Sequence, residues 1–221
     1  MGTTLIIPAA GRGTRFGADR PKQFLDLRGR PVLAWTLAAF AGVVDEAVLA
    51  GDPVFADDLA TIAAAAPFPC RIVPGGATRQ ASVHAALLAS DPAHGNILVH
   101  DAVRPLVPRR CIDACLAALE QQVGAVVAVP CAATVKRAAG NGTVSTTVPR
   151  EGLWLAQTPQ GFRRAEGVLA FAQAAGRECT DDAQVLELAG YAVALVPGDA
   201  RNLKITTPDD FLVAAALLAA G

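Results

Sequence analysis

The residues best suited to chemistry lie near the start of the chain. Pro8-Ala9-Ala10-Gly11-Arg12-Gly13-Thr14-Arg15 follows a short apolar run and is succeeded by Pro21-Lys22. Ala9, Ala10, Gly11 and Gly13 strip bulk from the backbone, so its N–H groups can press close to phosphate oxygens. Arg12, Arg15 and Lys22 add cations at short range. A glycine-rich turn after a strand, with cations beyond it, has the chemistry of a polyphosphate site. Two common phosphate-binding patterns do not fit. G-x-G-x-x-G breaks at Phe16, and no G-x-x-x-x-G-K-[ST] occurs.

Three further stretches carry candidate groups. Pro74-Gly75-Gly76-Ala77-Thr78-Arg79-Gln80-Ala81-Ser82 follows the apolar residues Ile72 and Val73, and its Gly75, Gly76 and Ser82 are suited to contact a base and sugar closely. His100-Asp101-Ala102-Val103-Arg104 follows Ile97-Leu98-Val99. An acid there, beside a phosphate site, suits Mg²⁺, which takes one or two carboxylates together with phosphate oxygens. Arg104 can pair with a second anion. Lys204 is a lone cation in an apolar, strand-like context, either solvent-facing or directed at the phosphate site. The five cysteines, at 70, 111, 115, 131 and 179, are odd in number and lack C-x-x-C spacing, against a zinc site or a disulfide scaffold. Cys111 and Cys115, one helical turn apart, read as core residues. The three histidines show no metal-ligand spacing.

These groups need a frame, and the hydrophobic pattern supplies one. Strand-like runs at 5–7, 47–50, 71–73, 97–100 and 125–129 alternate with helical stretches at 31–40, 54–66, 78–90 and 108–122. Such alternation predicts an α/β fold: a Rossmann-like, mostly parallel sheet flanked by helices, joined by right-handed crossovers. Ligands then bind beyond the carboxyl ends of the strands, where the candidate residues fall. The pattern breaks at 130–150. There two β-prone runs flank Gly140-Asn141-Gly142, which predicts a hairpin. With few large apolar residues it has little to dock on, and a lone hairpin is marginal in water. It is expected to project as an arm, residues 131–150, and to be steadied by another chain. Beyond it lie a strand edge at 153–162, a helix at 163–176, a helix from Thr180 as cap to about 188, a strand at 191–196, and a last helix capped at Thr207. Residues 1–221 make one domain plus the arm.

Composition excludes some function classes. The 221 residues are 52 % apolar with a formal net charge of −1, which argues against a broad basic surface for nucleic acid. No uninterrupted apolar stretch reaches membrane-spanning length, and the start lacks the basic region of a secretion signal. A soluble cytoplasmic protein is the expectation.

Taken in order, P-A-A-G-x-G-x-R…P-K, V-H-D-A-V-R-P, T-V-K-R, L-W-L-A-Q-T-P-Q-G-F, T-D-D and N-L-K-I-T resemble the 2-C-methyl-D-erythritol 4-phosphate cytidylyltransferase family, among the sugar- and polyol-phosphate nucleotidyltransferases of GT-A-like fold. The resemblance runs from Ile7 to Phe211. It implies transfer of a cytidylyl group from CTP to the polyol phosphate with Mg²⁺ or another divalent cation, in a homodimer joined through the arm. It also implies residue roles. Pro8, Ala9, Ala10, Gly11, Arg12, Gly13, Gly75, Gly76, Ser82 and Ala102 would hold CTP. Arg15, Lys22 and Lys204 would be catalytic. Asp101 would bind the metal. Asp101, Arg104, Thr158, Thr180 and Lys204, with Thr134 and Arg150 from the partner's arm, would hold the polyol phosphate. A metal role for Asp199 or Asn202 stays open. The neighbouring alternatives are a cytidylyltransferase for another polyol phosphate, such as ribitol 5-phosphate, and a non-catalytic nucleotide-binding regulator.

Overall fold

Strand β1 (Gly2–Ala9) is buried on both faces, as a central strand must be in a sheet covered by helices on each side. Its Leu5 and Ile7 pack into one apolar layer and Ile6 into the other. A computed structural model of the chain describes residues 1–11 and 20–220. Arg12, Gly13 and Arg15 of the opening loop lie outside the described residues.

After the loop come β2 (Asp26–Leu27), β3 (Arg30–Pro31), α1 (Val32–Ala38), β4 (Glu46–Gly51), α2 (Ala56–Ala64), β5 (Cys70–Pro74), α3 (Arg79–Ala89), β6 (His94–Val99) and α4 (Arg109–Ala118). Then follow β7 (Gly124–Pro130), β8 (Val135–Ala138), β9 (Val144–Val148), β10 (Trp154–Arg163), α5 (Arg164–Gln173), α6 (Asp182–Leu188), β11 (Val193–Pro197) and α7 (Pro208–Ala219). Seven strands form one sheet in the order β11-β7-β10-β6-β1-β4-β5, with β10 antiparallel to both neighbours and the remaining pairs parallel. Residues of α1, α2, α4 and α7 join the layer of Leu5 and Ile7, whereas α3, α5 and α6 join that of Ile6. The mostly parallel α/β frame is as the alternation predicts.

Two local features bear on the site. The register of β10 shifts between Ala156 and Gln160, and Gln160 pairs with Val99. Gln157-Thr158-Pro159 therefore lies just past the carboxyl end of β6, beside Asp101. The second is a correction. The cap of α6 is Asp181, whose side chain accepts from the Gln184 N–H at 2.9 Å; Thr180 sits outside the helix and bonds the Gln184 side chain instead. A carboxylate accepts a helix N–H more strongly than a hydroxyl does. Elsewhere Thr78 caps α3, and Thr207 with Asp210 forms the capping box of α7. β8 and β9 pair antiparallel as a separate two-stranded sheet with almost all of its residues exposed.

Candidate active site

The segments at and just past the carboxyl ends of β1, β5 and β6 surround a cavity of about 290 Å³. Its wall near β1 is held by Gln23, a buried side chain whose amide donates to the carbonyls of Ala9 at 2.8 Å and Gly11 at 3.1 Å. That ties the loop to the short turn carrying Lys22. Opposite, the Gly75 N–H donates to Gly51 O at 2.7 Å, and a Cβ on Gly75 would fall 2.4 Å from the Ala10 Cβ. Only glycine allows so close an approach of the two loops. The Gly76 N–H donates to Ser82 Oγ at 3.0 Å, and that hydroxyl donates to Thr78 O at 2.9 Å. Ser82 thus folds the Gly75-Gly76 turn onto the start of α3.

Among the described residues Asp101 is the acidic residue of the cavity wall, 7 % exposed, and three cations face it. Arg104 Nε and Lys204 Nζ each stand 3.1 Å from Oδ2, and Arg79 Nε is 3.6 Å from Oδ1. Burial alone would raise this carboxyl. Lys204, Arg79 and Arg104 outweigh it and hold Asp101 well below the usual carboxylate range. Arg79 also donates to the buried Asp182 at 2.8 Å, where burial pushes the carboxyl up against the pull of the guanidinium. Arg79 and Asp182 were not among the residues singled out from sequence. Arg79 directly follows the Gly75-Gly76-Ala77-Thr78 turn, a signal in plain view, but its partner is 103 residues away.

Among the described residues, no group of three His, Cys, Asp or Glu side chains gathers to hold a metal. One ionised carboxylate at the cavity wall does suit Mg²⁺ shared with phosphate oxygens, since this ion is rarely caged by protein alone. Asp199, the other acid considered, pairs with Arg110, and its backbone carbonyl accepts from Gln157.

Of the remaining candidates, Pro8, Ala9, Ala10, Gly11, Lys22, Gly76, Ser82, Ala102 and Lys204 line the cavity with Asp101. Arg104 and Thr158 are buried behind Asp101: Arg104 reaches Asn202 O at 2.7 Å, and Thr158 Oγ1 accepts from the Asp101 N–H at 3.1 Å. Thr134, Arg150 and Thr180 are exposed and do not line the cavity of their own chain.

His100, fully buried at the end of β6, is lowered by burial to a pKa of about 4. Its folded pKa lies below the ordinary 6.5, so unfolding takes up a proton as pH falls between those values. Stability is expected to be fully present above pH 6.5 and to decline toward pH 4, with a limiting slope of about 1.4 kcal/mol per pH unit. Asp101, with a depressed carboxyl, adds to the loss only at pH below its ordinary 3.8. Asp182, pushed up, partly offsets the loss near that value. Denaturation midpoints from pH 7 to pH 4 check this: His100→Phe should flatten the profile, and an already flat wild-type profile contradicts the assignment.

Comparison with known proteins places the whole chain in one family. The family model for 2-C-methyl-D-erythritol 4-phosphate cytidylyltransferase, IspD, matches residues 3–220. The enzyme of that name from Bordetella petrii is 48 % identical over 219 residues, covering 93 % of this chain and 94 % of the relative. The one from Deinococcus radiodurans is 46 % identical over 217 residues, covering 97 % and 89 %. The crystal structure of the Thermus thermophilus enzyme superposes with a TM-score of 0.84 at 39 % identity, covering 99 % of this chain and all of that one. With the match spanning nearly the whole chain, including every wall of the cavity, the chain belongs to the 2-C-methyl-D-erythritol 4-phosphate cytidylyltransferase family.

Proposed function

We propose that the protein transfers the cytidylyl group of CTP to 2-C-methyl-D-erythritol 4-phosphate, releasing pyrophosphate, in the non-mevalonate route to isoprenoids. The observation that carries this reading is the cavity itself. Small-residue backbone, Lys22 and Lys204 line its wall, and its acid, Asp101, is held ionised. CTP lies against Pro8–Gly11 and the Gly75-Gly76 turn, its base held by backbone groups and close packing. Lys22, with Arg15, neutralises the charge that builds on the α-phosphate as it becomes five-coordinate. Lys204 at the cavity wall, with Arg104, Thr158 and Thr180 beyond that wall, holds the polyol phosphate. A phosphate monoester is already largely dianionic at neutral pH, its second pKa being about 6. The attacking oxygen therefore needs no general base, and catalysis is positioning and charge stabilisation. Mg²⁺, held by Asp101 and the nucleotide phosphates, would neutralise phosphate charge.

Pyrophosphate release tests the reading. CTP with methylerythritol phosphate should turn over faster than ATP or UTP, and faster than CTP with ribitol 5-phosphate. Preference for ribitol 5-phosphate moves the protein to the neighbouring substrate class.

The same reading includes a homodimer in which each arm completes the other site. Thr134 and Arg150 stand exposed on an arm with little core of its own, and apolar side chains on the arm and at the start of β10 (Val144, Trp154 and Leu155) are 39–61 % exposed. Pairing across a two-fold axis would cover both copies at once. A planar guanidinium at 150 is suited to bidentate phosphate binding. Arg150→Ala and Lys22→Ala homodimers are each expected to be nearly inactive. Mixed together, they should recover up to about half the wild-type activity per dimer, because one site then carries both defects and the other neither. No recovery on mixing would place Arg150 in its own chain's site.

A further inference from the structure

Behind Asp101, four buried side chains close a ring. His100 Nε2 donates to Arg104 O at 3.1 Å, Arg104 Nη1 donates to Asn202 O at 2.7 Å, and Asn202 Nδ2 donates to Thr158 O at 2.7 Å. Thr158 Oγ1 returns to His100 Nδ1 at 2.9 Å. All four residues are 8 % exposed or less. Their partners decide the tautomer. A carbonyl accepts only, so Nε2 carries the proton. Nδ1 then accepts from the Thr158 hydroxyl, whose oxygen in turn accepts the Asp101 N–H. The Asn202 amide is oriented in the same way, since its nitrogen faces two acceptors, Thr158 O and Gln157 Oε1.

The ring joins segments far apart in the chain: the end of β6, the shifted stretch of β10, and the loop before Lys204. His100 anchors it, because its own N–H donates to Ile6 O of β1 at 2.9 Å and its ring meets the edge of Phe40 at 5.0 Å. From the ring hang the backbone of Asp101, the side chain of Arg104 and, two residues beyond Asn202, Lys204. The nucleotide-facing loop at Pro8–Gly11 is held separately, by Gln23.

We propose that His100 is a positioning residue. In its Nε2–H tautomer it locks the ring that sets Asp101, Arg104 and Lys204 against the second substrate, without itself touching either substrate. Buried hydrogen-bond networks of this kind rigidify their surroundings and specify one geometry; among the described residues only Asn202 Oδ1 is left without a partner in it. The kinetic part rests on the cytidylyl-transfer reading; the tautomer does not.

Kinetics and NMR test it together. His100→Phe keeps a ring against Phe40 and removes both hydrogen bonds. It should lower kcat/KM for the polyol phosphate by about 10- to 100-fold, as small misplacement of reacting groups does, with the CTP dissociation constant by calorimetry changed less than about threefold. His100→Gln retains a donor toward Arg104 O and should recover part of the loss. In wild type labelled with ¹⁵N-histidine, His100 should show a protonated Nε2 and a bare Nδ1 at pH 7.5. Unchanged kinetics in folded His100→Phe overturn the proposal, as does an equal loss of CTP binding or an Nδ1–H tautomer. If wild type releases no pyrophosphate, the functional reading fails instead, and the NMR result still decides the ring.

Discussion

Lys22→Ala is expected to lower kcat by about 10²- to 10³-fold, the loss of about 2.7–4 kcal/mol of transition-state stabilisation from one preorganised group. The side chain sits on the single turn Lys22–Phe24, at the cavity wall, and is partly exposed. The turn itself is pinned by Gln23 and Phe24, both buried. The melting temperature should therefore move by no more than a few degrees. The ammonium matters most when negative charge accumulates on the α-phosphate, so the defect should lie in kcat more than in CTP binding. A near-normal kcat with a large drop in melting temperature would make Lys22 structural.

The second large effect is expected at Asp101. Asp101→Asn keeps the shape of the side chain and removes the anion that Arg79, Arg104 and Lys204 share. Taking one member out of a buried ion pair costs about 3–5 kcal/mol when the other is stranded. Here each cation has an outlet: Arg79 keeps Asp182, Arg104 keeps Asn202 O, and the Lys204 side chain is 42 % exposed. The stability loss should accordingly be smaller, about 1–3 kcal/mol. The activity loss should be the larger one, about 10²-fold or more, with a higher Mg²⁺ requirement. Asp199→Asn, which loses the contact with the exposed Arg110, should do much less. Parallel Mg²⁺ titrations decide between them, and a larger defect at Asp199 would transfer the metal role to that residue.

Much of this site could be read from order and spacing, because βαβ topology brings the carboxyl ends of successive strands to one edge whatever the loops contain. The small-residue loop, the Gly75-Gly76 turn and Asp101 fall there for that reason. Arg104 was legible beside Asp101 because the pair is local, three residues apart. Capping at Thr207 was legible because it too is local chemistry. What was not legible depends on contacts across the chain. β10 reads as an ordinary strand, and nothing in its pattern tells that it enters antiparallel between β6 and β7 and places Thr158 next to Asp101. Gln23 and Asn202 look like neutral loop residues, yet both are buried amides that fix backbone at the site. The cap of α6 was placed one residue early, at Thr180, because Thr and Asp in succession both fit the role.

The most direct measurement follows the oxygens. Methylerythritol 4-phosphate labelled with ¹⁸O in its phosphate is incubated with CTP, Mg²⁺ and the enzyme, and the products are resolved by ³¹P NMR. In-line attack by the substrate phosphate predicts a cytidine diphosphate product in which the label bridges to the former α-phosphorus, together with unlabelled pyrophosphate. Label in pyrophosphate, or release of CMP without a diphosphate product, would contradict the account.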